Sequence, residues 1–194
     1  MIKRIIISGA SGTGKTMLGA EVAKRLDLFH MDLDDYSWRK NTLLPYTELH
    51  PREVYLAKVK ADVEKHGGNF VMTGNIVSTL RDFANPLFDL AVLLTVPAEI
   101  RMERIKKRAF ANFGDRVLEG GDMYGQHQEF YAFSRSYDTG ENPSYNLGFH
   151  ESWLGQLTCP ALRLDGTKPI DENTEIIVGV AALGDPLQNW RNDI

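Results

Sequence analysis

The sequence predicts an α/β fold in which a five-stranded parallel sheet carries helices on both faces and an insertion forms a lid. Short apolar runs alternate with helical patterns along the chain, which is typical of βαβ units. The strongest apolar run, residues 90–96, is interrupted only by Thr95, as expected for a strand buried on both faces. The 194 residues suit a single domain, 1–194, with residues 110–150 as its lid.

The first part of the chain contains three predicted strands and two predicted helices in alternation. The β-branched run at residues 5–7 ends at Gly9, a pattern that indicates a buried strand. Pro51 is typical of a helix start, and Gly67 and Gly68 are typical of a helix end. The predicted elements are a strand at 5–7, a helix at 16–26, a strand at 28–31, a helix at 51–66 and a strand at 70–72.

The second part of the chain changes in character between two regular regions. Pro97 follows the strand at 90–96 and begins a basic helix. Glycine, aromatic and polar residues then dominate the lid segment. The predicted elements are the helix at 97–109, one helix near 123–137 within the lid, a strand at 161–164 and a helix at 171–183, followed by a tail.

Composition excludes several classes of partner and fold. The formal net charge of -4 gives no basic footprint for nucleic acid or for an anionic membrane. Cys159 is the only cysteine, which excludes an intrachain disulfide framework and a multi-cysteine zinc site. The N-terminal apolar run ends too early for a signal peptide, and no run is long enough to cross a bilayer. A cytoplasmic protein is therefore expected.

Residues 9–16 match the pattern G-x-x-x-x-G-K-[ST] in full, between the first predicted strand and the first predicted helix. The glycines allow backbone N–H groups to turn inward around phosphate oxygens, and the helix N-terminus adds partial positive charge. In this pattern Lys15 reaches the β- and γ-phosphates, and the Thr16 hydroxyl ligates Mg²⁺. We therefore expect ATP and Mg²⁺ as cofactors. The expected nucleotide-binding residues here are Gly9, Ala10, Ser11, Gly12, Thr13, Gly14, Lys15, Thr16 and Met17.

Two absences narrow the class of phosphate-binding protein. A GTPase needs an Asn/Thr-Lys-x-Asp motif to recognise its base, and the nearest candidate, residues 167–171, has the wrong spacing. Motor-type ATPases usually carry an acidic pair at the end of an apolar strand, whereas Thr73 and Pro97 follow the third and fourth predicted strands. A small-molecule phosphotransferase is the class that these absences favour.

With these motifs in order along most of its length, the chain resembles the nucleoside monophosphate kinase and shikimate/gluconate kinase group. Residues 96–108 look like the adenylate kinase helix that leads into the lid. That resemblance implies that Arg104 packs on the adenine and that Arg108 reaches the phosphates. Lys168 and Pro169 lie in a segment similar to the loop that borders the adenine. A solvated basic helix face is the alternative for the two arginines.

The second predicted strand ends in a pair of carboxylates. Asp32 and Asp34 stand two residues apart, so both side chains can project towards one cleft. One would hold Mg²⁺ through water, and the other would orient or deprotonate the acceptor hydroxyl. We assign the metal to Asp32 and the base to Asp34, while the reverse assignment stays open. The pair resembles the Asp-x-Asp of shikimate and gluconate kinases. The alternative is that these carboxylates cap the next helix or turn.

The segment after the third strand departs from the adenylate kinase pattern. Those enzymes carry Asp-Gly-Phe-Pro-Arg there, whereas this chain has Thr-Gly-Asn-Ile-Val at 73–77. We expect Gly74, Asn75 and Arg81 to bind the substrate, with Arg81 holding an anionic group of the acceptor. In the lid, Arg116 is expected to bring a cation to the transferring phosphoryl group. Surface positions are the alternative for both arginines.

The sequence thus predicts an ATP-dependent kinase whose catalytic residues are Lys15, Asp34, Arg108 and Arg116. The partner is a small-molecule phosphoryl acceptor, possible classes being a nucleoside, a nucleotide or a hydroxylated metabolite. The expected assembly is a monomer or a homodimer. The alternative function is a regulatory protein that binds nucleotide through the same loop and has no transfer activity.

Overall fold

The computed structural model describes residues 2–76 and 78–183, which form a five-stranded parallel sheet with helices on both faces. This confirms the predicted fold class. The tail predicted after residue 183 lies outside the described residues. The strands are β1 Arg4–Ser8, β2 Phe29–Asp32, β3 Phe70–Thr73, β4 Leu90–Thr95 and β5 Ala161–Asp165. The helices are α1 Lys15–Leu26, α2 Leu33–Ser37, α3 Arg52–Lys65, α4 Ser78–Ala84, α5 Ala98–Phe113, α6 Tyr124–Thr139, α7 Leu147–Leu154 and α8 Ile170–Leu183.

The strand order of the sheet is β2-β3-β1-β4-β5, and all neighbouring strands run parallel. β1 lies in the centre, and the chain passes from it to β2 and β3 on one side before crossing to β4 and β5 on the other. In open α/β sheets, ligands bind outside the carboxyl ends of the strands where the order reverses. The loops that follow β1, β2 and β3 therefore meet at the expected ligand site.

The central strand shows why the apolar runs lack a polar face. Ile6 packs in a core cluster with side chains of α3, α4 and α7, whereas Ile5 and Ile7 pack with side chains of α1 and α8. All three isoleucines are fully buried. Successive side chains of a strand point to opposite faces, so a strand that is covered by helices on both sides is apolar at every position.

Three short helices, α2, α4 and α7, are absent from the sequence prediction. They have 5, 7 and 8 residues, too few for a clear helical period of apolar residues. Polar caps mark the starts of two of them. The side chain of Asp32 accepts a hydrogen bond from the N–H of Asp34, and the side chain of Asn146 accepts one from the N–H of Phe149.

The basic helix α5 continues to Phe113, beyond the end predicted at residue 109. It stops at Gly114, whose φ of 58° lies in the region that favours glycine. Among the helices of residues 2–76 and 78–183, none combines the length and the apolar composition that crossing a bilayer requires.

The predicted lid, residues 110–150, consists of two parts with different surroundings. In the first part, Val117 and Met123 form a small buried cluster with Ala109 of α5. The second part reaches the main body of the protein, and the boundary predicted at residue 150 falls inside α7. The last turn of α7 places Trp153 in the core beneath the sheet. The end of the segment is therefore continuous with the main core.

Candidate active site

The glycine-rich loop joins β1 to α1 and packs closely against α5. Gly12 and Gly14 have φ values of 84° and 95°, a conformation that residues with side chains rarely adopt. A Cβ atom on Gly12 would lie 2.6 Å from the carbonyl oxygen of Arg101. The loop and α5 thus approach each other at a distance that only glycine permits at this position.

The start of α1 leaves backbone donors free to bind an anion. Gly14 is the N-cap, and none of the described side chains caps this helix start. The N–H groups of the first turn have no carbonyl partner within the helix, and the helix dipole adds partial positive charge. A Cβ atom on Gly14 would meet no described atom within 4 Å. The space beside Gly14 is therefore open, and the backbone donors at this helix start fit a phosphate group.

Lys15 lies between the loop and the acidic end of β2. Its Nζ donates a hydrogen bond across the loop to the carbonyl oxygen of Ala10 at 3.3 Å. Burial lowers the pKa of the ammonium, while the negative charges of Asp34 and Asp32 act in the opposite direction. The structure thus brings the lysine of the phosphate motif close enough to the two carboxylates for their charges to interact.

Asp32 ends β2 and caps α2 with one of its carboxylate oxygens. Its Oδ1 accepts a hydrogen bond from the N–H of Asp34 at 3.1 Å. The capping role that was the alternative in the sequence analysis is therefore present, and it leaves the second oxygen for another contact. In the described part of the chain, no group of three or more His, Cys, Asp or Glu side chains could hold a metal ion. The assignment of Mg²⁺ to Thr16 and Asp32, with the phosphates as further ligands, stays a prediction.

Asp34 lies in the first turn of α2. The protein atoms around its carboxyl desolvate it and raise its pKa, and the positive charge of Lys15 opposes this rise. Arg108 acts in the same direction as Lys15. A carboxylate with a raised pKa beside a phosphate-binding lysine is suited to a role as general base.

Arg104 joins the phosphate loop to the loop after β5. Its Nη1 donates hydrogen bonds to the carbonyl oxygens of Thr13 at 3.3 Å and Gly166 at 3.0 Å. Arg108 lies further along α5 and is exposed, and its charge influences the pKa of Lys15 as well as that of Asp34. The structure therefore brings Arg104 to the phosphate loop, and the role of Arg108 in phosphate binding stays a prediction.

Lys168 and Pro169 lie on the loop that connects β5 to α8, and both are exposed. The Nζ of Lys168 pairs with Glu172 of α8 at 2.6 Å. Their loop touches the site through Gly166, which accepts the hydrogen bond from Arg104. The role of Lys168 and Pro169 in nucleotide binding remains a prediction, as does that of the exposed Met17.

Arg116 makes a surface ion pair in this structure. Its guanidinium donates two hydrogen bonds to the carboxylate of Asp122, at 2.9 and 2.8 Å, and both side chains are exposed. This position corresponds to the surface role that was the alternative in the sequence analysis. A catalytic role for Arg116 requires the ion pair to open, and that role stays a prediction.

The three residues predicted to bind substrate after β3 lie together. Gly74 packs against α2, since a Cβ atom there would lie 2.8 Å from the Cβ of Leu33. Asn75 follows it, and the Nε of Arg81 in α4 donates to the carbonyl oxygen of Ile76 at 3.5 Å. Arg81 is thus held beside the end of β3 rather than on an outer face of its helix.

Arg101 has a structural role that the sequence analysis missed. Only 1% of it is exposed, and it bonds to the carboxylate of Asp138 in α6. Its guanidinium also donates to the carbonyl oxygens of Val96 at 3.2 Å and Ser11 at 3.0 Å. Arg101 and Arg104 are three residues apart, so the sequence places them on one face of the helix. The sequence does not show that α6 covers Arg101. Arg101 therefore connects the phosphate loop, α5 and α6.

We expect Arg101→Met to destabilise the protein by about 3 kcal/mol, because breaking a buried ion pair leaves uncompensated polar groups. Asp138 keeps some contact with solvent, which places the cost at the lower end of the usual range for such pairs. Urea unfolding followed by circular dichroism measures the change. The control is Lys107→Met on the same helix, an exposed residue paired with Glu103, for which a loss of at most about 0.5 kcal/mol is expected. Equal losses in both variants would contradict the structural role of Arg101.

Tyr145 is a second contact of the phosphate loop that the sequence analysis missed. Its hydroxyl donates to Oγ of Ser11 at 2.9 Å and accepts a hydrogen bond from the N–H of Ser11 at 2.7 Å. The buried ring stacks on Phe133 and meets Tyr137 at an angle. The second part of the predicted lid therefore lies directly on the phosphate loop. A tyrosine in an aromatic-rich segment carries no sequence signal for such a contact.

Binding of ATP and an acceptor is expected to increase hydrogen-exchange protection within the lid, because kinases exclude water from the reacting phosphoryl group by closure. Residues 110–133 should change most. Residues 137–150 should change less, because Tyr137, Tyr145 and His150 are already buried. Exchange measured by mass spectrometry with and without both ligands tests this. Strong and equal protection of the whole segment in both states would contradict the lid.

The loop and the sheet define the class of this protein: it is a P-loop protein with the fold of P-loop small-molecule kinases. Residues 5–119 match the sequence model of the family described as AAA domain. The match covers more than half of the chain, and the chain therefore belongs to this AAA domain family. It includes the phosphate loop, both carboxylates at the end of β2 and the whole of α5.

Individual relatives extend over nearly the whole chain. The Bacillus subtilis (strain 168) protein YqaC, described as uncharacterized, is 33% identical over 178 residues, which are 92% of this chain and 97% of that one. The cytidylate kinase of Pyrobaculum islandicum is 25% identical over 174 residues, which are 83% of this chain and 90% of that one.

Two solved structures share the fold at low sequence identity. A shikimate kinase from Bacteroides thetaiotaomicron has a TM-score of 0.53 at 15% identity, over 94% of this chain and 99% of that one. An unliganded sugar kinase from Janibacter sp. HTCC2649 has a TM-score of 0.51 at 18% identity, over 92% of this chain and 94% of that one. The architecture of the sheet and its helices is therefore that of P-loop kinases.

Proposed function

We propose that this protein is an ATP-dependent kinase that transfers the γ-phosphoryl group of ATP to a hydroxyl group of a small molecule. The observation that carries the proposal is the position of Lys15, which bonds to the phosphate loop and lies close enough to Asp34 for their charges to interact. The likeness to a cytidylate kinase in sequence, and to a shikimate kinase and a sugar kinase in fold, supports it.

In this proposal, most residues of the site bind the phosphates, and one residue removes the proton of the acceptor. The N–H groups at the start of α1 bind phosphate oxygens, and the ammonium of Lys15 offsets the charge that develops on them. Mg²⁺, held by Thr16 and Asp32 with the phosphates, would supply further neutralisation of that charge. Arg108 lies close enough to Lys15 to add to the same positive field.

Asp34 is the group that takes the proton in this proposal. The acceptor oxygen forms a bond to the γ-phosphorus while the bond from that phosphorus to the β–γ bridging oxygen breaks, which releases ADP. The acceptor hydroxyl gives its proton to the carboxylate of Asp34. The raised pKa of Asp34 brings its basicity closer to that of a group that works near neutral pH.

A second candidate is a regulatory protein that binds nucleotide without transferring phosphoryl. One observation favours it: the hydroxyl of Tyr145 already engages the N–H of Ser11 in the phosphate loop. A donor of the loop that is bonded within the protein is not free for phosphate. On this alternative, nucleotide binding would displace Tyr145 and change the position of the segment that carries it.

A coupled ADP-release assay distinguishes the two candidates. The protein would be given Mg·ATP with panels of nucleosides, nucleotides, sugars and hydroxy acids, and nucleotide binding would be measured in parallel by calorimetry. We expect ADP release that depends on one acceptor class. Tight ATP binding without acceptor-stimulated ADP release from any panel would overturn the kinase proposal in favour of the regulator.

A further inference from the structure

Three buried polar atoms, two in the segment after β3 and one in α7, have no hydrogen-bond partner among the described residues. They are Oδ1 of Asn75, Nη2 of Arg81 and Nε2 of His150. Only 2% of His150 is exposed. A buried polar atom without a partner is costly, so native proteins contain few of them. A bound ligand is one means of satisfying such atoms.

Contacts connect the segments that carry the three atoms. The Nε of Arg81 bonds to the carbonyl oxygen of Ile76, the residue after Asn75. The guanidinium carbon of Arg81 lies 4.6 Å from the ring centroid of Phe149, and Phe149 precedes His150 in α7. Arg81 of α4 thus contacts both the segment that follows β3 and α7.

The hydrogen bond made by Tyr137 fixes the form of His150. The Tyr137 hydroxyl lies 2.8 Å from Nδ1 of His150 in a buried position. The Tyr137 hydroxyl has no other acceptor among the described residues, so we assign it as the donor to Nδ1 and place the hydrogen of the neutral ring on Nε2. Burial lowers the pKa of His150 to about 4, and the positive charges of Lys15 and Arg81 act in the same direction. At neutral pH Nε2 is therefore a hydrogen-bond donor, and the ring lies near the lysine of the phosphate loop.

We propose that His150 is a specificity residue of the phosphoryl-acceptor site, and that the acceptor is a hydroxylated molecule with a carboxylate or phosphate group. This inference rests on the kinase function proposed above. Arg81 Nη2 and His150 Nε2 are donors, and Arg81 carries a positive charge, so together they suit an oxyanion. Asn75 Oδ1 is an acceptor and suits a hydroxyl group.

The position of His150 in α7 makes it suitable for such selection. The helix is capped by Asn146, and Trp153 one turn later is buried in the core and bonded to Asn85 at 3.1 Å. Binding groups that are fixed on a packed helix lose little freedom when a ligand arrives. His150 is therefore held in place before the acceptor binds.

The first test measures binding at His150 without turnover. With Mg·ADP saturating the phosphate loop, the protein labelled with ¹³C-histidine is titrated with glycerate, glycerol 3-phosphate and glycerol. The His150 resonance, one of five histidine signals, is identified by its loss in His150→Phe. We expect a shift with glycerate or with glycerol 3-phosphate and none with glycerol. A shift with glycerate alone assigns a carboxylate, and a shift with the phosphate alone assigns a phosphate. No shift with either anion, or an equal shift with glycerol, overturns the proposal.

The second test separates recognition from a structural role. His150→Phe should weaken binding of the anionic probe about tenfold or more, which calorimetry measures. It also leaves the buried Tyr137 hydroxyl without its acceptor, so the melting temperature should fall as well. His150→Gln keeps a donor near the Nε2 position and should retain most of the affinity. A lower melting temperature with unchanged affinity would show that His150 is structural.

Arg81→Met provides a second variant in case His150→Phe does not fold. It should also weaken the anionic probe about tenfold, because it removes the charge and keeps a similar stem. Arg25→Met is the control, a surface arginine paired with Glu175, and should leave the affinity unchanged. Unchanged affinity in Arg81→Met would overturn the anionic part of the proposal.

Failure of this inference is distinguishable from failure of the kinase proposal. Anions that bind at His150 in a protein that transfers no phosphoryl would refute the kinase and leave the binding site. Acceptor-dependent ADP release that is indifferent to His150→Phe and satisfied by neutral acceptors would refute the site and leave the kinase.

Discussion

Replacing Lys15 with alanine is expected to abolish phosphoryl transfer while the protein stays folded. A single fixed donor at a developing negative charge contributes about 10²–10³ to kcat, and Lys15 adds a full positive charge in a partly buried position. Its ammonium makes one hydrogen bond to a described residue, to the carbonyl oxygen of Ala10 at 3.3 Å. Burial also lowers the pKa of this ammonium, which means that keeping it charged destabilises the folded protein. Removing it should leave the free energy of unfolding unchanged or higher.

The measurements are ADP release with the best acceptor, and urea unfolding of the same preparation. Lys24→Ala is the matched control, since Lys24 is also on α1 but is exposed and pairs with Glu21. It should keep full turnover. Normal turnover in Lys15→Ala would contradict the assignment of the phosphate loop, and an unfolded variant would show that Lys15 supports the core instead.

The parts of the fold that the sequence predicts are those where burial controls residue type. The run at residues 5–7 predicts a central strand because both of its faces are covered, as Ile5 and Ile6 show in opposite clusters. The phosphate loop is predicted because there is no room for a side chain at some of its glycine positions. At Gly12 a side chain would collide with Arg101. Such constraints are local, and they leave a pattern in neighbouring residues.

The parts of the site that the sequence does not predict depend on contacts between distant segments. Ser11 meets Tyr145 across 134 positions of the chain, and Arg101 meets Asp138 across 37. Nothing near Tyr145 distinguishes it from the other aromatic residues of the lid. The proposed role of His150 depends on its contact with Tyr137 and on the unpaired atoms of Asn75 and Arg81, and the sequence alone does not show either.

The acidic end of β2 is predicted in part by the sequence, and the structure supplies the rest. The spacing of Asp32 and Asp34 predicts a shared cleft, and the structure places both near Lys15. The spacing does not separate their roles. The hydrogen bond from the N–H of Asp34 to Asp32 does separate them, because one oxygen of Asp32 caps α2, whereas the desolvated carboxyl of Asp34 interacts with the charge of Lys15. This difference makes Asp34 the better candidate for the base.

Changing Asp34 to asparagine is expected to lower turnover by roughly 10²–10⁴ while ATP binding changes little, because a catalytic base acts only in the transfer step. The raised pKa of Asp34 gives a pH signature. In the wild type, kcat should fall on the acid side at a higher pH than an ordinary carboxyl would give, and the variant should lack this limb. Steady-state ADP release across pH, with ATP affinity from calorimetry, measures both effects.

The free energy of unfolding shows whether the loss of turnover in Asp34→Asn comes from lost chemistry or from lost folding. A carboxyl whose pKa is raised by folding destabilises the folded state once it ionises, so its cost is present above the folded pKa and absent below the unfolded one. Asp34→Asn should therefore not lower the free energy of unfolding at neutral pH. Asp35→Asn is the control, an exposed neighbour paired with Lys40 at 2.8 Å, and should keep turnover within about twofold, as a surface pair is weak. If Asp34→Asn kept full turnover, Asp32 or another group would have to be the base.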